Sequence, residues 1–440
     1  MGQRAFYGWK LVAVFWAIVS INLGFAAYGS SAMNTVMAQQ MHLSRALAGL
    51  PYSLYIVMSA LPGVLIAVLV RWIGVRGTVV LGSLLILIGC VVMATLVSSA
   101  IAATLVFGVV IAFGVCAGGV FGTQPGVMLW FVRQRGLAIA IVYAGGAIGG
   151  FVAPLVLDWI ITASGRNWRA GWWLYAALAA ISTVLAAAFI RNRPSDLGQE
   201  AYGFEAASPA GRADSGGARA SAGAVRPAFI SDERWTFAEV MRSGRFWIMV
   251  LALCGGSAGY TLFLAQGKLH LLDLGFGSRQ AALAVSVVSI SALIGKAPLA
   301  LFGDRLDPRF IWAITSAVFG LGFILVIHPR GMFGLYLFSV CIGIGWGGCI
   351  VGLMTTIGNY YGQEAFAAAA GVAGGVNTVI SFFASNIGGV VYDKFGSYAP
   401  TFTSLAVWCF AGAIALALVG RPHRRSSAGG AAPVPVGSGT

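Results

Sequence analysis

Acidic side chains are few: 13 Asp and Glu in 440 residues, beside 27 Lys and Arg and only four His. Charged residues altogether make up 9% of the chain. A soluble globular domain carries about 25%. A surface so short of charge cannot be clothed for water, so an ordinary soluble protein is excluded and lipid is the main solvent. The six cysteines all fall in apolar segments, with no Cys-x-x-Cys pair and no neighbouring His. That leaves no metal site and no disulfide framework to expect. Alternation of apolar and polar residues is also missing from the apolar runs, which excludes a membrane β-barrel. The net charge of +14 is not gathered into one basic patch, so nucleic acid is not an expected partner.

What is present is apolar sequence, 59% of the whole, cut into lengths that suit a bilayer. A helix needs roughly 17 to 25 mainly apolar residues to cross about 30 Å of hydrocarbon. Twelve such spans are predicted, at 11–36, 46–70, 78–98, 101–129, 136–161, 170–190, 246–266, 280–303, 309–328, 332–358, 365–391 and 399–419. No cleavable signal peptide is expected, because the first run is too long for a signal core. The expected fold is an all-α membrane protein of two six-helix bundles, residues 1–190 and 245–420. Between them, 191–244 should form a linker on the inner side, its Gly-, Ala- and Ser-rich middle Ala206 to Pro227 disordered. Its end, with Trp235, Phe237, Val240 and Met241 set among Glu239 and Arg242, suits a short amphipathic helix at the membrane surface. The tail 421–440 is expected to be unstructured.

Most of the basic residues, among them Arg4, Lys10, Arg71, Arg76, Arg133, Arg135, Arg191, Arg193 and Arg424, fall on the side that holds both termini. Positive residues are retained on the inner side, so both termini are expected in the cytoplasm. Arg45, Arg166, Arg169, Lys268, Arg279, Arg330 and Lys394 are assigned to outer segments, leaving Lys296 as the lone basic residue inside a span. The two halves also echo each other. Ser44-Arg45 opens the second span and Ser278-Arg279 the eighth, and each of these spans ends in a basic turn. Six-span repeats joined by a long central loop place a solute near midplane between the halves.

Gly303-Asp304-Arg305-Leu306-Asp307-Pro308-Arg309 resembles the loop motif Gly-x-x-x-Asp-Arg-x-Gly-x-Arg of the major facilitator superfamily, with Asp307 where Gly is usual and Val70-Arg71 in place of Asp-Arg in the first-half copy. Three further segments resemble one group within it, the monocarboxylate porters and oxalate/formate antiporters. They are Trp130-Phe131-Val132-Arg133-Gln134-Arg135-Gly136-Leu137-Ala138 followed by Tyr143-Ala144-Gly145-Gly146, then Arg191-Asn192-Arg193-Pro194-Ser195-Asp196-Leu197-Gly198, and Tyr392-Asp393-Lys394-Phe395-Gly396-Ser397-Tyr398. The resemblance implies transport of a small organic anion by alternating access, through proton symport or anion exchange. It also implies that the basic residue of span eight binds the substrate carboxylate, a place Lys296 occupies. The acidic residue that some of these porters carry one turn earlier is Ala292 here.

Lys296 lies eight residues before Asp304, about 12 Å along a helix and a little inside the bilayer centre. A charge at that depth costs about 2.5 kcal/mol or more unless it meets water or a partner, although a lysine stem could also snorkel to the interface. One cation favours one carboxylate over two. Tyr28, Asn34, Tyr52, Tyr55, Gln124, Tyr143, Tyr260, Trp346 and Asn377 are the polar and aromatic groups expected to complete the site, the alternative for each being helix packing or an interfacial belt. Asp304, Arg305, Arg309, Arg133, Arg135 and Asp393 are the candidates for gating and conformational contacts. His270 with Asp273 suits an outer gate or, more simply, a solvated loop. Glycines four apart, Gly114/Gly118, Gly145/Gly149, Gly146/Gly150 and Gly343/Gly347, clear helix faces for close packing. The expected partners are a small organic anion, with or without a proton, and the bilayer of an inner (plasma) membrane. No cofactor is expected, and one chain suffices. An efflux carrier on the same fold and a non-transporting sensor are the competing functions; an enzyme is disfavoured because no catalytic cluster converges at one depth.

Overall fold

The computed structural model describes residues 6–203, 235–303 and 306–422. The middle of the linker and all but the first two residues of the tail, both expected to lack structure, lie outside them, as do Asp304 and Arg305. The described residues form a bundle of long helices, and among them eleven helices are long and apolar enough to cross a bilayer. The remaining span is Arg45–Ala60, which is broken at Leu61-Pro62 and continued by the first turns of the next helix. A reversal at Gly74 (φ 73°) then separates spans 2 and 3, and Gly362 (φ 73°) does the same for spans 10 and 11. A side chain at such a φ is strained, which is why glycine turns the chain there with no intervening loop.

Spans 1 to 6 are Gly8–Gln40, Arg45–Ala60 with its continuation, 75–95, Ala100–Trp130, Arg135–Ala163 and Trp168–Phe189. Spans 7 to 12 are Gly244–Asp273, Ser278–Phe302, Pro308–Leu325, Gly331–Gly362, Glu364–Phe395 and Ala399–Leu418. Two segments widen into π-helix, Ser20–Gly29 in span 1 and Val106–Ile111 in span 4. Span 4 is also interrupted at Gly119 (φ −109°, ψ −130°).

Three of the four glycine pairs bring backbones together, while Gly146 and Gly150 make room for the side chains of Leu23, Tyr28 and Ser289. A Cβ on Gly145 or Gly149 would meet the carbonyl oxygen of Trp16 or Ser20 in span 1, at 2.4 and 2.0 Å. Gly114 and Gly118 close on Gly82 of span 3. Gly343 and Gly347 seat span 10 on span 8, where a Cβ would fall 2.4 and 2.1 Å from the carbonyls of Val288 and Ala292. Lipid supplies no hydrophobic drive for helix association, so contact this close, with its dispersion attraction, holds the bundle.

The first and last described residues, the described linker ends and the ends of spans 6 and 12 share one face. Tyr7 Oη donates to Phe189 O at 2.8 Å, and Arg245 to Arg421 O at 2.8 Å. The linker is stitched at both ends. Tyr202 exchanges backbone hydrogen bonds with Trp130, Val132 and Arg133 and sits among Phe6, Trp9 and Phe131. At its far end Trp235 packs edge-on against Tyr361 of span 10. The short helix Phe237–Arg242 follows, capped by Thr236 with Glu239. It does not simply lie on the surface: Val240 is fully buried in the second half.

Two expectations at the opposite, distal face need correction. Lys268 is not in an outer loop. Span 7 runs on to Asp273, so Lys268 is buried inside it and a second basic residue joins Lys296 within the spans. His270 is likewise buried and not solvated; its Nε2 meets Val326 O at 2.9 Å, while Asp273 pairs with Arg45 instead.

Candidate functional site

Span 8 carries Lys296 about 27 Å from its distal end and about 9 Å from the other, at 1.5 Å per residue. The glycines of span 10 fix its surroundings, since a Cβ on Gly347 would come within 3.1 Å of the Lys296 backbone nitrogen. The lysine points into a cavity of about 470 Å³ between the two halves. It is the one charged residue among the described residues that line the cavity. It is half-buried and has no hydrogen-bond or ion-pair partner among the described residues.

Six aromatic candidates share that wall: Tyr28, Tyr52, Tyr55, Tyr143, Tyr260 and Trp346. The π-helical turn of span 1 carries Tyr28, whose hydroxyl accepts a 2.8 Å bond from Tyr260 of the other half. Tyr260 in turn stacks on Trp346, with centroids 4.2 Å apart and planes at 10°. Across the cavity Tyr52 and Tyr55 lie 5.5 Å apart, and Tyr55 stacks on Phe107 of the second π-helical segment at 5.0 Å. The Tyr55 hydroxyl is buried and has no partner. The remainder of the wall is mainly aliphatic, with Leu23, Ile56, Val120 and Leu293 among its residues.

Gln124, Asn34 and Asn377 do not line the cavity. Gln124 stands behind it, its Oε1 accepting from Tyr143 at 3.2 Å. Asn34 is buried nearer the distal face, and the Oδ1 atoms of Asn34 and Asn377 lack partners. Two polar lining residues were not anticipated, Ser59 and Ser289. Ser289 donates to Ala147 O at 2.9 Å, joining spans 8 and 5. Its spacing from Ala292, Leu293 and Lys296 marks the same helix face, a signal available in the sequence.

Beyond mid-depth, towards the distal face, the halves are bound by charge. Lys268 Nζ meets Asp158 Oδ1 at 2.6 Å, and Ser278 Oγ donates to the same oxygen at 2.5 Å. Arg45 pairs with Asp273 at 2.8 Å and lies over the Tyr392 ring. Asp393 accepts the backbone N–H groups of Arg45 and Ala46 at 2.9 and 3.1 Å, so a carboxylate of the second half caps a helix of the first. Arg309 lies at the other face, paired with Asp307 at 3.1 Å and donating to Val419 O. Asp307 caps its own helix at Arg309 N and accepts from Tyr360 Oη at 3.0 Å. In the first half, which lacks Asp-Arg, Asn192 braces the turn instead, its Oδ1 accepting from Arg76 N at 2.9 Å. Arg133 and Arg135 are exposed at the start of span 5, with Arg135 Nε on Phe131 O.

The profile of the Major Facilitator Superfamily matches residues 14–385 and, again, 269–438. The chain belongs to this superfamily. It is therefore a multi-pass membrane transporter and not an enzyme. Monocarboxylate transporter 13 of Bos taurus is 22% identical over 288 residues, which is 64% of this chain and 59% of that protein. The chain thus spans under two thirds of the length of that relative. The superfamily fold recurs in the nucleoside transporter NupG (14% identity, TM-score 0.69, 94% of this chain and 98% of that one). It also recurs in a peptide transporter, POT (18%, TM-score 0.69, 96% and 97%), and in an inward-facing bacterial homolog of the lysosomal transporter Spinster (15%, TM-score 0.62, 95% and 96%).

Proposed function

We propose that this superfamily member is a secondary active carrier of a small organic anion of the monocarboxylate type, working by alternating access between its halves. The observation that carries the reading is Lys296, an unpartnered cation in a cavity shared by both halves and otherwise uncharged. A positive charge held out of bulk water calls for an anion, and one carboxylate neutralises it. The likeness to a monocarboxylate transporter supports the same class. Residues 1–190 and 245–420 act as the two rocking units, with both termini at the cytoplasmic face of an inner membrane and one chain sufficient. Closure at the distal face by Lys268–Asp158 and Arg45–Asp273 makes this the inward-facing state. Asp393 belongs to that distal closure, while Arg309, Arg133 and Arg135, with the loop residues Asp304 and Arg305, steady the opposite face.

Uptake of labelled carboxylates into proteoliposomes tests the reading. Lys296→Gln is expected to lower uptake by about tenfold to a hundredfold, as for loss of a charge-assisted hydrogen bond. Lys296→Arg is expected to retain more uptake than the glutamine variant. Equal uptake by wild type and Lys296→Gln would reject the anion site. A pH gradient imposed on the same vesicles separates proton symport from exchange.

A further inference from the structure

The cavity is large and oily for the simplest acids. At about 30 Å³ per water, its 470 Å³ corresponds to roughly sixteen water molecules, whereas acetate or lactate would displace only about three or four. The rest would remain against a wall of aliphatic and aromatic side chains, where water has few partners. Among the described lining residues the polar side-chain groups are Lys296, two serines, the tyrosine hydroxyls and the Trp346 indole N–H. Of those hydroxyls, Tyr28 and Tyr260 bond each other and Tyr143 bonds Gln124. The indole of Trp346 is only half-buried; Tyr260 stacks on it, and it lines the cavity. An indole with accessible surface in a mainly apolar pocket is a surface on which a flat ring is recognised by offset or edge-on contact.

Resting on the anion-site reading above, we propose that the favoured substrate is an arylalkanoate: a single carboxylate on a short chain ending in an aromatic ring. The carboxylate meets Lys296. The ring replaces cavity water against Trp346, Tyr260 and the aliphatic wall. A molecule of about a dozen non-hydrogen atoms displaces about twice as much of that water as a two- or three-carbon acid does, and a second carboxylate would meet no second cation among the described lining residues.

The test compares wild-type, Lys296→Gln and Trp346→Ala proteoliposomes for counterflow of labelled phenylacetate, indole-3-acetate, lactate and malonate at neutral pH. Flux in Lys296→Gln vesicles serves as the baseline for passive leak of the acids. Lysine-dependent uptake of the aryl acids with KM at least about tenfold below that of lactate is expected, the gain coming from burial of the ring. The aryl-to-lactate preference should fall about tenfold in Trp346→Ala. Trp346→Phe, which keeps a flat ring, guards against misfolding and should retain most of the preference. Lysine-dependent lactate or malonate uptake that aryl acids neither share nor inhibit would overturn the arylalkanoate assignment and leave the anion carrier standing. Uptake of every acid independent of Lys296 would overturn both.

Discussion

At the scale of single residues, two lysines in the membrane have opposite situations. Lys296 is unpartnered in an open cavity, whereas Lys268 is sealed against Asp158 with its side chain 1% exposed. On the proposed reading the first meets a ligand; the second is already paired with a carboxylate. Removing one partner of a buried pair strands the other charge, at about 3–5 kcal/mol, while removing both is far milder. Asp158→Asn alone is therefore expected to lower thermal stability in detergent, and Asp158→Asn with Lys268→Met to recover most of the loss. A double variant no more stable than the single one would mean that the pair contributes no mutual stabilisation. Lys296 was legible in the sequence because a charge deep in an apolar run announces itself. Lys268 was not, because Gly267-Lys268-Leu269-His270 reads as a loop until a carboxylate 110 positions away makes its burial tolerable. The same blindness to rotation about a helix axis explains Gln124. Its amide turns to Tyr143 behind the cavity wall, which no count of spacing within one span could tell.

At the scale of the element, position depends on what is missing from the side chain. Span 10 reaches span 8 because Gly343 and Gly347 have no Cβ, and Lys296 is held at that crossing. Gly347→Val should force the helices apart, costing about 1–3 kcal/mol or more by overpacking. Uptake should fall further than the loss of folded protein accounts for, because the lysine shifts with its helix. Comparing transport per folded molecule, by fluorescence-detected size-exclusion chromatography and flux, checks this; uptake that merely tracks the amount folded would count against it. The glycine spacing was plain in the sequence. The two π-helical segments and the break at Gly119 were not, because they arise where packing across the bundle outweighs the regular helical ladder.

At the scale of the whole molecule, the asymmetry lies in where the halves grip each other. Inter-half polar contacts among the described residues gather at the Tyr28–Tyr260 and Ser289–Ala147 bonds and at the distal charge pairs. On the proposed reading, two bundles joined by charge pairs at the distal end of a shared cavity rock about its middle, the motion that alternating access requires. The twelve spans were readable from apolar length, because the bilayer sets that length, and the two-half plan from the long central break and the Ser44-Arg45 and Ser278-Arg279 echo. Which end is closed was not readable, since closure depends on pairs drawn from distant segments.

The stitched linker carries one more consequence. Tyr202 is fastened within the first half and Trp235 within the second, so each bundle ends in its own knot. The peptide between them then serves to keep the two partners at high local concentration, and their mating surfaces supply the rest. A chain cut between residues 204 and 234 and co-expressed as two polypeptides should still copurify through a tag on one piece and regain uptake. Failure to copurify would mean that the covalent join is part of the machine; success would make this transporter, in effect, a heterodimer written as one sentence.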